Sequence, residues 1–262
     1  MKERIVTAIV AMGIFLPLAW IGGLPFVILT YIMATIGLFE LLRMKKQPAM
    51  SGQSLLAGLM LWVILLPGEY FQMLAAGRIT KMEMVYLAVL LILSYTVITK
   101  NRFTFDEAGF SILSALYVGT GFYFLIETRE AGLVYLFYAL FVIWGTDSGA
   151  YFIGKSMGKR KLWPVISPNK TIGGSIGGIA VALVIALLFA VLADMGIPTM
   201  KLLFVTVLLS VFGQMGDLVQ SAFKRHYGVK DSGNILPGHG GILDRCDSWL
   251  FVLPLLHILQ II

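Results

Sequence analysis

The chain has 262 residues, 58% of them hydrophobic and only 13% charged, with a mean hydropathy of +0.89. Soluble domains usually run near ~45–50% apolar and ~25% charged, so a water-soluble fold is excluded. A single cysteine, Cys246, rules out an intrachain disulfide and a cysteine-based metal cluster, and the net charge of +6 suits basic loops on one side of a membrane better than a nucleic-acid surface.

These numbers define an all-α polytopic integral membrane protein. The first residues, MKERIVTAIVAMGIFLPLAW, have the basic head and apolar run of a signal peptide. No small-residue cleavage site follows and more apolar runs come at once, so the segment reads as an uncleaved first span. A span takes about 20 mostly apolar residues. Such stretches lie at roughly 4–21, 23–42, 54–67, 83–99, 109–126, 131–146, 172–194, 201–217 and 247–262, about nine transmembrane helices in all. The 54–67 run is short and stops at Pro67-Gly68, and the 131–146 run is interrupted by Asp147 before resuming as AYFIG.

With the N-terminus in the cytoplasm and the sides alternating, 16 of the 20 Lys and Arg residues fall in cytoplasmic segments, the asymmetry of the positive-inside rule. Two polar loops, 147–171 and 217–247, share that side with the cell's nucleotides. Residues 1–130 carry little polar chemistry and suit a scaffold, a lipid groove or a homodimer surface. Residues 131–262 carry both loops and form the catalytic part.

In the first loop, Lys155, Lys159, Arg160 and Lys161 form a basic run. Ordinary anchoring explains it, as does attraction of anionic lipid headgroups or a polyphosphate. The run Ser167-Pro168-Asn169-Lys170-Thr171 is more specific: Pro168 fixes a turn, Thr171 can cap the next helix, and a lysine beside a helix N-terminus is a natural phosphate site. Gly173, Gly174, Gly177 and Gly178 follow and can equally serve close helix packing. The spacing is not that of a Walker loop. Asp147, inside an apolar run, is either a helix-end residue at the interface or a functional carboxylate.

The second loop gathers the polar chemistry. Residues 221–248 hold Lys224, Arg225, Lys230 and Arg245, three aspartates and two of the three histidines. Asp217 lies four residues upstream of Ser221. Asp244 and Asp247 are three apart, so on a helix they share a face. Asp217, Asp244 and Asp247 together suit a hard oxygen-liganded cation such as Mg2+, with Lys224, Arg225 and Lys230 clamping phosphates. Arg245 can instead pair with Asp244 or Asp247, Asp231 can be a turn residue beside Gly233, and His239 can be a structural hydrogen bonder at the tip of the Pro237–Gly241 turn. His226 reads as an exposed loop residue and His257 as a span residue satisfied by a neighbouring helix. Metal, cations and a glycine-rich turn in one place fit phosphoryl or nucleotidyl transfer.

The run from Ser221 through Phe223-Lys224-Arg225, Lys230-Asp231, Gly233, Leu236-Pro237, His239-Gly240-Gly241-Ile242 and Asp244-Arg245 to Asp247 resembles the signature of the phosphatidate cytidylyltransferases, the CDP-diacylglycerol synthases. Asp147-Ser148-Gly149-Ala150-Tyr151 and Ser167–Thr171 resemble that family's second recurrent stretch. The detailed likeness covers about residues 140–250. It departs from the family pattern at Cys246, usually aliphatic or threonine, and at Gly173, where glutamate is usual. The resemblance implies attack of a phosphatidate oxygen on the α-phosphorus of CTP, giving CDP-diacylglycerol and pyrophosphate, in a bacterial inner membrane with the site facing the cytoplasm. It implies catalytic roles for Asp217, Asp244, Asp247 and Lys230. Ser221, Lys224, Arg225, Asn169, Lys170, His239 and Arg245 would bind substrate. Mg2+, with room for a second metal ion, would sit on Asp217, Asp244 and Asp247, with Asp147 as a further ligand. CTP, phosphatidate and membrane lipids are the implied partners, and nucleic acid is not.

The rivals are a transporter, another membrane lipid phosphotransferase and a lipid-binding scaffold. A carrier would place its polar residues at mid-membrane, not in cytoplasmic loops. A CDP-alcohol transferase would need an Asp-Gly pair, and the chain has none.

Overall fold

A computed structural model describes residues 2–75, 77–193 and 195–262. The chain forms α1 (Lys2–Ile21), α2 (Gly23–Met44), α3 (Gly52–Leu65), α4 (Gly68–Ala75), α5 (Lys81–Ile98), α6 (Phe105–Ala131) and α7 (Leu133–Met157). A hairpin of β1 (Lys161–Trp163) and β2 (Ser167–Thr171) follows, then α8 (Ile172–Leu192), α9 (Thr199–His226), α10 (Leu243–Cys246) and α11 (Trp249–Ile258). The protein is thus an all-α polytopic membrane protein with one small antiparallel hairpin, pairing Lys161 with Thr171 and Trp163 with Ser167.

Among the described residues, seven helices are long and apolar enough to cross a membrane, and α3 with α4, bent by 108°, makes an eighth if the pair is one span. Each of the nine apolar runs falls on a helix. The last helix, α11, has 10 residues, about 15 Å of rise, and covers only half of a ~30 Å hydrocarbon core.

Two helices outrun their apolar stretches. α7 continues through Asp147 to Met157, and α9 continues through Asp217 to His226. The expected loops 147–171 and 217–247 therefore both begin as helix. Apolar content marks where a helix lies in lipid; backbone hydrogen bonding carries the helix on beyond that point.

Local signals set the boundaries. Thr80 and Glu83 form a reciprocal capping box ahead of α5, Ser51 caps α3, and Thr171 caps α8 by accepting from the Gly174 amide at 3.0 Å.

The described chain forms two compact units. The front one runs to Glu127 and includes the later segment Asp231–Leu243; the back one comprises Thr128–Lys230 and Asp244–Ile262. In the front unit, Leu38, Leu42, Met60, Leu61 and Leu65 form part of a fully buried core. Trp62 ties α3 to α2 through its indole N–H to Thr35 (3.0 Å) and by accepting from the Tyr31 hydroxyl at its carbonyl (3.1 Å).

The back unit is built on a close seam of α7 against α8. A Cβ at Gly178 would come within 2.7 Å of the Thr146 carbonyl oxygen, and one at Gly174 within 2.6 Å of that of Ala150. The glycines thus let two backbones touch. Polar pairs join α7 to α9: Thr146 donates to Ser210 at 2.9 Å, and Tyr138 meets Thr206 at 2.7 Å. His257 of α11 is satisfied by Thr128 at 3.1 Å.

Candidate functional site

Asp217, Ser221 and Lys224 recur at i, i+4 and i+7 along α9, so one helical face carries all three. The hairpin brings Lys170 to this face. Its ammonium sits 2.6 Å from Asp217 Oδ2 and 3.5 Å from the Gln214 carbonyl, while Asp217 Oδ1 accepts from the Ser221 hydroxyl at 3.3 Å. The hairpin holds its place because Ile166 turns the chain back onto Trp163 (3.2 Å) and Ile172 closes onto Arg160 (2.9 Å). Arg225 Nε donates to the Ile166 carbonyl at 3.4 Å, so Arg225 braces the hairpin tip from the end of α9.

Asp247 approaches the same face from the break between α10 and α11. Its carbonyl oxygen would lie 2.5 Å from a Cβ at Gly216, so glycine is what lets this strand of chain press on α9. Ser248 anchors the contact through its hydroxyl to the Gly213 carbonyl at 3.0 Å. Burial first, then the charge of Asp217, raise the Asp247 carboxyl to about 7; Asp147 adds to the rise, while the Ser248 amide and Lys224 oppose it. Asp244 is elsewhere engaged. Its side chain is 3% exposed and Lys224 stands 2.7 Å away. Lys230, Arg225 and Arg245 are exposed. His239 belongs to the front unit, in the turn closed by the Leu236–Gly240 bridge.

Between the hairpin and helices α7, α8 and α9 lies a cavity of about 590 Å³, lined by Asp147, Lys155, Lys161, Asn169, Lys170, Gln214 and Asp217 among others. That is the size of a small-molecule pocket, typically ~300–1,000 Å³. Gly154, Gly158 and Gly174 form part of its wall, so a ligand can reach backbone there. Gly173 is not pressed by its neighbours: its nearest contact for a Cβ is 3.6 Å away.

Among the described residues, no three His, Cys, Asp or Glu side chains converge closely enough to hold a metal ion. The charges of Asp217 and, more weakly, Asp147 reach Asp247. A closed protein cage is thus absent among the described residues; Mg2+ is usually held by one or two carboxylates together with substrate phosphates and water, and the oxygen-only carboxylates here can supply that share.

One residue escaped the sequence reading. Glu40, in α2, is 6% exposed. Its carboxylate accepts from the Ser232 hydroxyl (2.8 Å), the Ile242 amide (2.8 Å) and the Leu243 amide (3.0 Å), all within the front unit. The signal was a glutamate inside the apolar run 23–42, an ionisable residue where such residues are costly.

A charged, glycine-walled cavity among apolar helices defines a membrane-embedded protein equipped to hold an anionic ligand. The cytidylyltransferase family model matches residues 2–262, and the chain belongs to that family. It is 59% identical over 262 residues to a phosphatidate cytidylyltransferase of Bacillus subtilis (strain 168), covering 99% of this chain and 97% of that protein. It is 51% identical over 264 residues to one of Staphylococcus aureus (strain COL), covering 100% and 99%. A third, from Staphylococcus saprophyticus, is 49% identical over 263 residues.

Proposed function

We propose that this chain transfers the cytidylyl group of CTP to phosphatidate, forming CDP-diacylglycerol for phospholipid synthesis. The full-length 59% identity to a phosphatidate cytidylyltransferase carries the reading, and the lysine-lined cavity supports it. A phosphatidate oxygen attacks the α-phosphorus of CTP. The bond from that phosphorus to the bridging oxygen breaks, and pyrophosphate leaves with the electron pair. The attacking phosphate monoester is already anionic near neutral pH, so the main obstacle is bringing two polyanions together.

Lys170, Lys161 and Lys155 face the cavity with Asn169 and serve its phosphates; the Lys170 ammonium can be shared between Asp217 and a phosphate oxygen. Ser221 orients Asp217. Lys224, Arg225, Lys230, His239 and Arg245 are further substrate-handling candidates. Asp217, Asp247 and Asp147 would hold Mg2+, with Asp244 supplying a further carboxylate and room for a second ion. A bound Mg2+ would neutralise charge on the phosphates and stabilise the leaving pyrophosphate. The same reading sets the N-terminus and the site on the cytoplasmic side of a bacterial inner membrane, with nine spans, and gives the front part a homodimer surface.

The decisive experiment incubates detergent-purified protein with labelled CTP, phosphatidate and Mg2+ and extracts the lipid phase. A lipid-soluble cytidine product is expected; none, across several acyl chains and divalent ions, overturns the proposal. A tag after Ile262 should be accessible from outside the cell, and cytoplasmic labelling would overturn the nine-span orientation.

A further inference from the structure

In the front unit a buried carboxylate accepts hydrogen bonds from a single distant stretch of chain. Glu40 is separated from Ser232, Ile242 and Leu243 by 192, 202 and 203 residues. Two of these donors are backbone amides at the entry to α10, where amides have no partner within the helix. The third, Ser232, is 4% exposed at the opposite end of the same segment. One side chain thus ties both ends of a loop of about a dozen residues.

The glycines agree. Gly233 and Gly241 do not have the positive φ found at Gly238 and Gly240, so backbone conformation does not demand glycine at either place. Space does: a Cβ at Gly233 would lie 2.5 Å from Glu40 Oε1, and one at Gly241 would press on both Glu40 oxygens and the Ser232 hydroxyl. The loop is packed onto this carboxylate as well as bonded to it. Its turn is held separately by α1, where Thr7 donates to the Pro237 carbonyl at 3.0 Å.

We infer that Glu40 is a positioning residue of the transfer reaction: its carboxylate fixes segment 232–243, the stretch of chain that leads directly into Asp244. The inference rests on the function proposed above, and on the carboxylate role given there to Asp244, for its kinetic readout; the exchange readout stands without it. Glu40 touches no reacting group in this account. It acts through the amides of Ile242 and Leu243, charge-assisted bonds that no neutral side chain replaces in full. Glutamine keeps the shape but offers one acceptor, and turns an N–H2 toward donors.

The test compares wild type, Glu40→Gln and Gly233→Ala as full-length protein in detergent. Hydrogen exchange is followed by mass spectrometry, and cytidylyl transfer is measured with CTP varied. In both variants the peptide covering 232–243 should exchange at least ~10-fold faster, while peptides from α7 and α8 keep their wild-type rates. The kcat should fall about 10- to 100-fold, as expected when a reacting group is displaced by about an ångström, with the KM for CTP within about threefold. Unchanged exchange in 232–243, or a kcat within twofold of wild type, overturns the proposal. Faster exchange throughout the front unit also overturns it, because the role is then general stability. If Glu40→Gln cannot be purified folded, Gly233→Ala, which keeps the carboxylate and displaces the loop, decides alone. If wild type itself forms no product, the proposed activity falls, while the exchange result still judges the clamp.

Discussion

Lys224 and Asp244, expected to work on phosphate and metal, form a close, partly buried ion pair. Their separation of 2.7 Å corresponds to about 6 kcal/mol of attraction at an effective dielectric of ~20, much of it offset by desolvation. Removing one partner of such a pair typically costs ~3–5 kcal/mol, because the other charge is left uncompensated. The two sides are unequal. The Asp244 side chain is 3% exposed and that of Lys224 18%, so an aspartate deprived of this lysine lies farther from water than a lysine deprived of this aspartate, whose long stem can reach it. Lys224→Met should therefore lie near the upper end of that range and Asp244→Asn near or below the lower end. Lys224→Met with Asp244→Leu removes both charges and should restore most of the lost stability. Transfer activity should stay low in all three, because the proposed site has lost a carboxylate, a phosphate-facing cation or both. Thermal unfolding in detergent gives the stability order, and the lipid-extraction assay gives activity. Unfolding of Lys224→Met at the wild-type temperature would refute the electrostatic argument. Recovery of activity in the double variant would refute any catalytic part for Asp244.

Along the α7–α8 seam, Gly178→Ala and Gly174→Ala should lower the unfolding temperature, because each Cβ meets a carbonyl oxygen at 2.7 or 2.6 Å and such overpacking costs ~1–3 kcal/mol. Gly173→Ala, with 3.6 Å of clearance, should be neutral or stabilising by up to ~1 kcal/mol through helix propensity; the same melting curves distinguish the two cases. Asp217→Asn should lower kcat by about 100-fold or more, the scale of losing one electrostatic contact in a transition state; activity near wild type would remove Asp217 from the mechanism. Chelation should abolish transfer and added Mg2+ restore it, read in the lipid-extraction assay; activity that survives exhaustive chelation would exclude the metal. Asp247, raised to about 7 from an ordinary 3.8, favours the metal-free fold while protonated. Its contribution is fully present below about pH 4 and lost as pH climbs through about 7. Metal-free wild type should therefore lose unfolding temperature from pH 5 to pH 8 more steeply than Asp247→Asn; parallel pH profiles would contradict this.

Much of this was legible because a bilayer imposes simple rules. Apolar runs located every long helix, and Pro67-Gly68 correctly marked the break after α3. Thr171 was legible as a cap, and the glycines after it as a packing face. What the sequence concealed has physical causes. Helix ends were misjudged at Asp147 and Asp217, because hydropathy reports lipid contact and the backbone has its own reasons to continue. Asp244 and Asp247, three apart, were expected on one helical face, but α10 ends at Cys246, so only Asp244 lies on that short helix. Lys170 on Asp217 and Lys224 on Asp244 are long-range pairings that no local spacing encodes. Glu40 was hidden by its surroundings: one acidic residue in a strongly apolar run is averaged away, although its rarity there is the signal.

α9 links the membrane to the chemistry. Its 28 residues rise about 42 Å against a hydrocarbon core of ~30 Å, and Asp217 lies about 27 Å from its start. The helix is at once long and apolar enough to be a span and the rod that carries Asp217, Ser221 and Lys224 on one face. A helix answers hydrophobic mismatch by tilting or shifting, and Asp217, Ser221 and Lys224 move with α9 when it does. Under the proposed activity, reconstitution into bilayers of longer or shorter acyl chains should therefore change the rate of transfer.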